Sequence, residues 1–217
     1  MKKIITAIVI LIGTISTASA DLGINVGIAG NTSIWHATGV EQNTNDSKQT
    51  EDAVGVSGYD SYFIEKTLGS RLTIGYEHTP DALKSDTAEN NRNVATDAVP
   101  GAFTTAVNTV QINFENLDLL YVHLNVSQSV YIKLGRTSVD VITNESLGTG
   151  SSYDNFSLDG SLVGAGYNKS FSNGIFMRGE FNMLEFDNSG DKTSLDNTVA
   201  MNGLEGAQAK FALGYSF

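Results

Sequence analysis

Apolar and polar side chains alternate every second residue in several separate stretches of the chain, and the last stretch is the clearest. From Ala207 onward the odd positions are apolar or aromatic, whereas the even positions are polar or small. This spacing places the two sets on opposite faces of a β-strand. The apolar face ends with the side chains of Phe211, Leu213, Tyr215 and Phe217. These side chains therefore need an apolar environment.

The same alternation predicts seven further strands. They are expected at residues 22–35, 54–67, 72–77, 120–126, 130–135, 157–170 and 176–183. In the second strand Tyr62, Ile64 and Lys66 would face outward. A bulge would change this arrangement, so the register of that strand stays open.

The connections between these strands alternate between long and short. The short ones lie at residues 68–70, 127–129 and 172–174, and the long, polar ones lie at 41–53, 79–109, 140–156 and 186–203. All long connections then share one end of the fold. This arrangement is typical of an eight-stranded antiparallel transmembrane up-and-down β-barrel, with short periplasmic turns and long extracellular loops. Ten strands remain an alternative if residues 94–114 form another membrane hairpin.

The beginning of the chain predicts export. Lys2 and Lys3 precede an apolar run over residues 4–15, and Ala18-Ser19-Ala20 fits a signal peptidase site. The run is shorter than the roughly 20 residues that span a bilayer. We therefore expect a cleaved signal peptide at residues 1–20 and a barrel domain at residues 21–217.

Composition supports an exported all-β protein. The chain has 22 Gly, 2 Pro and no Cys, so packing or closure of a sheet would have to replace disulfides as a source of stability. The formal net charge is −11 over 217 residues. This acidic balance argues against nucleic acid as a partner.

Four segments resemble small Gram-negative outer-membrane barrels, the family that includes the opacity proteins, related surface antigens and the membrane domain of outer-membrane protein A. The segments are SYFIEKTLGSRLTIGYEHTP, SVYIKLGR, GSLVGAGYNKSFSNGIFMRGEFN and FALGYSF. The resemblance implies an outer-membrane location, contact with outer-membrane lipid and lipopolysaccharide, and a monomer. It also implies that the aromatic C-terminal strand is the insertion signal read by the barrel-assembly machinery.

The strand parity places a charged group of side chains inside the barrel. The inward positions comprise Glu77, Lys133, Arg178, Glu180 and Lys210, with Tyr121 and His123 nearby. Charges removed from water need partners, and an eight-stranded barrel has little interior space. A packed ion-pair core is the favoured interpretation, and an ion path or gate is the alternative.

The sequence contains no catalytic, cofactor or metal motif of the usual kinds. Some barrels of this size modify lipid A with His and Ser, but Asn125 stands where the deacylase type has Ser after the His, and His123 faces inward. Residues 187–191 lack the glycine and carboxylate that a calcium loop needs. We therefore expect no enzymatic activity and no cofactor.

Arg136 is expected on the outward face near the outer rim, where a guanidinium group could contact a lipopolysaccharide phosphate. An exposed Arg beneath a loop is an equal alternative. The sequence as a whole predicts a non-enzymatic structural or surface protein. A narrow porin-like channel for small solutes is the main alternative, and a lipid A-modifying enzyme is the less favoured one.

Overall fold

The computed structural model describes residues 22–43, 48–95, 103–147, 152–194 and 197–217. The predicted signal peptide lies outside these ranges. Within them the structure consists of antiparallel strands and their connections. The strands are β1 (Ile24–Asn43), β2 (Lys48–Leu68), β3 (Leu72–Lys84), β4 (Ala88–Ala95), β5 (Phe103–Asn125), β6 (Val130–Leu147), β7 (Phe156–Ser170), β8 (Ile175–Phe186), β9 (Lys192–Ser194) and β10 (Asn197–Ser216).

Eight of the described strands close into a ring. The hydrogen-bonded order is β1-β2-β3-β5-β6-β7-β8-β10, and β10 pairs with β1 from Asn25↔Ser216 to Asn43↔Asn197. The predicted eight-stranded antiparallel barrel is therefore confirmed. The two remaining strands add no further strand to the ring, because β4 continues the line of β3 along β5, and β9 continues the line of β8 along β10. The ten-stranded alternative is wrong for this reason.

The strands are strongly staggered around the ring. If hydrogen-bonded partners are followed once around from Val26, the path returns to β1 at His36, ten residues farther along (36 − 26 = 10). A stagger of this size in eight strands corresponds to a tilt of about 40° to the barrel axis. Such a barrel is narrow, so inward side chains from opposite walls can meet.

The short connections lie together at one end, hereafter the short-turn end. Gly69 (φ 66°) and Gly174 (φ 84°) occupy two of these turns in the left-handed region, which residues with a Cβ rarely adopt. The opposite end, where the strand pairs continue as tall hairpins, is hereafter the hairpin end. The chain therefore has the predicted asymmetry between its two ends.

The predicted loop boundaries at the hairpin end are wrong. Parts of 41–53, 79–109, 140–156 and 186–203 are strand, since β1 and β2 pair as far as Gln42↔Lys48 and β6 continues to Leu147. The reason is that both faces of a hairpin in water can carry polar residues. The apolar alternation stops there, although the backbone hydrogen bonding continues.

One seam of the wall is incomplete. The pairing of β2 with β3 extends from Leu68↔Leu72 only to Tyr62↔His78, whereas β2 pairs with β1 over nearly its whole length. Pro80 follows on β3, and proline lacks the N–H that a ladder needs. Above this point the described residues of β2 and β3 are not hydrogen-bonded to each other. We call this region the β2–β3 seam.

Candidate functional site

The outward wall carries an apolar band that starts at the short-turn end. Toward the hairpin end, Val126 just after β5 and then Leu124, Val122 and Leu120 on β5 face outward before Asp118. Four positions at two-residue spacing cover roughly 20 Å along the strand, or about 15 Å of height at a tilt of about 40°, which is a large part of the roughly 25 Å apolar band of outer-membrane barrels. Exposure is high, at 55% for Leu120. A contiguous band of this kind needs a lipid or protein cover.

Polar side chains mark the upper edge of this band. On the outward face, Asp60 follows Tyr62 on β2, and Arg136 follows Leu134 on β6. Between them Asp118 Oδ1 accepts hydrogen bonds from Tyr76 OH (2.6 Å) and pairs with His78 Nδ1 (2.6 Å). The change occurs at the level where the β2–β3 seam opens. The unpaired backbone groups of the seam therefore start where the wall becomes polar.

The four C-terminal residues predicted as an insertion signal all face outward. The exposed fractions of Phe211, Leu213, Tyr215 and Phe217 lie between 43% and 56%. The rings of Tyr215 and Phe217 contact each other edge to face, with centroids 4.9 Å apart. The structure places these side chains in the apolar band.

The interior is filled by two apolar clusters and a charged cluster. The larger apolar cluster lies toward the hairpin end. We call it the apolar plug, and its members are Trp35, Tyr59, Ala82, Phe114, Leu117, Leu119, Tyr121, Val139, Val141, Leu158, Leu162, Leu184, Phe186 and Leu204. A small cluster of Ala29, Phe63, Phe176 and Ala212 lies toward the short-turn end.

The charged cluster lies below the plug and combines three carboxylates with three bases. Arg178 binds Glu65 through both ends of its guanidinium group, with Nη1 donating to Oε1 at 2.6 Å and Nη2 to Oε2 at 3.0 Å. Tyr121 OH and Asn25 Nδ2 also donate to this carboxylate, at 2.7 and 3.2 Å. Bidentate, charge-assisted contacts of this kind are the strongest hydrogen bonds in proteins.

Glu180 is the centre of the second set of contacts. Tyr131 OH donates to its Oε1 at 2.6 Å, and Lys133 Nζ donates to its Oε2 at 2.9 Å. Asn182 Nδ2 donates to the same Oε2 at 3.2 Å, and Lys210 Nζ lies 3.6 Å from it. Each carboxylate oxygen thus has a donor, as a buried charge requires.

Glu77 completes the cluster. Its Oε2 accepts a short hydrogen bond from Lys210 Nζ and a longer one from Lys133 Nζ at 3.4 Å, while Ser61 Oγ donates to its Oε1 at 2.7 Å. Both lysines therefore bridge Glu77 and Glu180. The six charged groups form one connected network with balanced signs.

His123 is held inside this network by aromatic contacts. Its ring lies between Tyr121 and Tyr131, with centroid distances of 4.8 and 4.2 Å. Gly75 and Gly166 face the two tyrosines, and a Cβ at either glycine would clash with the tyrosine ring. The glycines thus provide the space in which the three rings stack. His123 is 2% exposed, so outside lipid does not reach it.

The structure brings together all seven interior residues singled out from the sequence. Glu77, Tyr121, His123, Lys133, Arg178, Glu180 and Lys210 are all buried and share contacts. The sequence reasoning missed Glu65, and it counted two acids where the structure has three. The signal was present, because an outward Tyr62, Ile64 and Lys66 places Glu65 inward. Asn25, Ser61 and Asn182 were also missed as partners.

Arg136 is exposed on the outward face, where it pairs through the backbone with Leu120 and Ser161. Elsewhere in the described residues, no group of three His, Cys, Asp or Glu side chains is arranged to hold a metal ion. No helix in the described part of the chain is long and apolar enough to cross a membrane.

A closed antiparallel ring with an apolar outward band and an interior filled by apolar and charged side chains defines the class: the fold is that of an outer-membrane β-barrel. Solved structures of this class are similar over nearly the whole chain. OprG, an outer membrane protein from Pseudomonas aeruginosa, matches with a TM-score of 0.53 at 11% identity, covering 91% of this chain and 97% of that chain.

Two further structures show the same likeness. AlkL, an outer membrane protein solved in DMPC lipid bilayers, has a TM-score of 0.54 at 10% identity, with 94% of each chain covered. The outer membrane protease OmpT from Escherichia coli has a TM-score of 0.50 at 10% identity, covering 93% of this chain and 99% of that chain. No protein-family model and no curated protein sequence matches this chain. At these identities the likeness concerns the fold alone.

Proposed function

We propose that this protein is a non-enzymatic outer-membrane barrel with a sealed interior and a structural or surface role. One observation carries the proposal: the charged cluster and the apolar plug lie one above the other and fill the ring. Lys133, Glu180 and Arg178 are each at most 6% exposed. A continuous water path for solutes would have to break these contacts.

The apolar band supports the location. In the proposed orientation the short-turn end faces the periplasm and the hairpin end faces the medium, as in bacterial outer-membrane barrels generally. The exposed aromatic residues of β10, with Phe217 at their end, would serve the assembly machinery as an insertion signal. The ring is closed within one chain, which supports a monomer.

Conductance tests the sealed interior directly. In planar bilayers the folded barrel is expected to show no steady single-channel conductance, whereas the porin-like alternative requires one. Different gel mobility before and after boiling would verify that the sample is a closed barrel. A stable conductance from such a sample would refute the structural proposal in favour of the channel.

Lipid analysis tests the absence of an enzymatic role. Mass spectra of lipid A from cells with and without the protein are expected to be identical. The support is geometric: the one histidine inside the described barrel interior, His123, is enclosed by Tyr121 and Tyr131. A change in acylation that depends on the protein would establish the enzymatic alternative.

We further propose that Arg136 contacts a lipopolysaccharide phosphate. It is an exposed outward cation at the upper edge of the apolar band, and guanidinium groups fit phosphate oxygens. The change Arg136→Ala is expected to reduce the lipopolysaccharide that co-purifies with the barrel. Lys169→Ala is the matched control, because Lys169 is an exposed outward cation near the short-turn end. Equal co-purification from both variants and the unchanged protein would exclude this contact.

A further inference from the structure

A cavity of about 430 Å³ lies at the hairpin end, inside the mouth of the barrel. It is lined from β1, β2, β5, β6, β7 and β10, and from the residues around Tyr153 and Ser189. Its base is the top of the apolar plug, because Val141 belongs to the plug and Ile112, Phe156 and Met201 pack against it. This is a cup closed from below, of a size typical for small-ligand sites.

The charged side chains that line the cup are all acidic. Three carboxylates line it, those of Glu41, Glu51 and Glu145, and none of the described residues that line it is Lys, Arg or His. Glu51 is exposed at the rim. A ligand that enters this cup leaves water for an apolar wall next to acidic groups. The wall therefore favours an apolar body, and the carboxylates favour a positive charge.

One carboxylate oxygen lacks a partner. Glu145 Oε1 accepts a hydrogen bond from the Tyr153 backbone N–H at 2.6 Å, which fixes the position of the carboxylate. Its Oε2 is buried and has no hydrogen-bond partner among the described residues. A buried carboxylate oxygen without a donor is unfavourable, and a bound cation would remove that penalty.

Aromatic side chains add a second preference for an organic cation. Tyr153 and Phe156 line the same cup, and aromatic faces attract ammonium groups, quaternary ones included. A divalent metal ion is a poorer candidate, because the described residues hold no metal-ligating group of three side chains. Carboxylates and aromatic rings on the wall, together with aliphatic side chains at the bottom of the cup, fit an ammonium group carried on an apolar body.

We propose that the cup at the hairpin end binds a small organic ammonium ion with an apolar body, held by Glu145 and Glu51 above the apolar plug. The ligand binds from the outer side and does not pass through, because the plug and the charged cluster lie beneath it. This site is separate from the structural role proposed above, and its failure would leave that role unaffected.

Binding of benzyltrimethylammonium to the folded full-length barrel in lipid nanodiscs tests the site, measured by calorimetry with empty nanodiscs subtracted. We expect saturable binding of one probe per barrel. Glu145→Gln is expected to weaken it roughly tenfold, the typical effect of losing one charge-assisted contact. Thr143→Phe, which reduces the volume of the cup, is expected to abolish it, since Thr143 lines the cavity on the same face of β6 as Val141 and Glu145.

Controls separate the site from general attraction to an acidic protein. Glu205→Gln removes the same charge from an exposed position on β10 that does not line the cup, and it is expected to bind like the unchanged protein. Tetramethylammonium lacks the apolar body, and benzylsulfonate has the opposite charge, so both should bind at least about tenfold more weakly.

Three results would overturn the proposal. They are the absence of saturable binding, equal affinity for benzylsulfonate, or Glu145→Gln and Glu51→Gln variants that both bind like Glu205→Gln. Because Glu51 is exposed, its variant is expected to fold even if Glu145→Gln does not. Gel mobility before and after boiling reports folding for each sample.

Discussion

Arg178 and Glu65 are the most tightly matched pair of charges in the barrel. Both are buried, and two hydrogen bonds join them across a sequence separation of 113 residues. A buried pair of this kind contributes less than its geometry suggests, because both ions lose their hydration. Removing one partner is different, since the other is then left as an uncompensated buried charge. Removing one of the two charges should therefore destabilise the barrel much more than removing both together.

Arg178→Ala is expected to lower the free energy of unfolding by about 3–5 kcal/mol without opening a pore. The apolar plug remains in place, so single-channel conductance should stay absent. Urea-induced unfolding in lipid vesicles measures the first effect, and planar bilayers measure the second. A large rise in conductance would show that the charged cluster acts as a gate.

The double variant Glu65→Leu/Arg178→Met serves as the control for this prediction. It removes both charges and keeps apolar volume, so part of the lost stability should return. If it were as unstable as Arg178→Ala, then the unpaired charge on Glu65 would not be the cause of the loss.

At the residue scale, the alternation along a strand was enough to predict which side chains point inward, provided that the strand carried several outward apolar residues. The inward set on β8, which includes Arg178 and Glu180, follows directly from Met177, Phe181 and Met183 on the other face. The alternation does not predict which inward side chains of different strands contact each other. Tyr121 OH reaches Glu65 over Gly75 of the intervening strand, because the register of β2, β3 and β5 places these three residues in one row.

At the scale of elements, the strands are longer than their apolar signal. β6 runs to Leu147 and β10 starts at Asn197, both far beyond the apolar band. Apolar alternation reports contact with lipid or core, and it ends where water covers both faces. The number and order of ring strands were therefore predictable, whereas the height of the hairpins was not.

The β2–β3 seam predicts uneven protection within one element. Backbone amides of residues 53–60 that point toward β3 are expected to exchange with deuterium at least about tenfold faster than amides of residues 33–38, because β1 is paired on both sides at that level. Hydrogen exchange of the barrel in nanodiscs, followed by NMR, measures this difference. Equal protection in the two segments would mean that β2 and β3 pair in the membrane beyond Tyr62↔His78.

At the scale of the whole molecule, different features of the barrel lie at different heights. An apolar band covers the outward wall, the charged cluster and the plug fill the lumen, and the acidic cup lies at the hairpin end. The sequence predicted the first of these from alternation and the charged interior from parity. It did not predict the cup, because its lining comes from segments that carried no apolar alternation.

The pairing of β1 with β10 also constrains how the protein is made. Asn25 and Ser216 are hydrogen-bonded neighbours in the ring, although almost the entire chain separates them. No shorter part of the ring can close on itself, because the partner of the first ring strand is synthesised after all the other ring strands. Until then the apolar faces of the earlier strands lack their final neighbours, so closure of the ring is a single late event in folding.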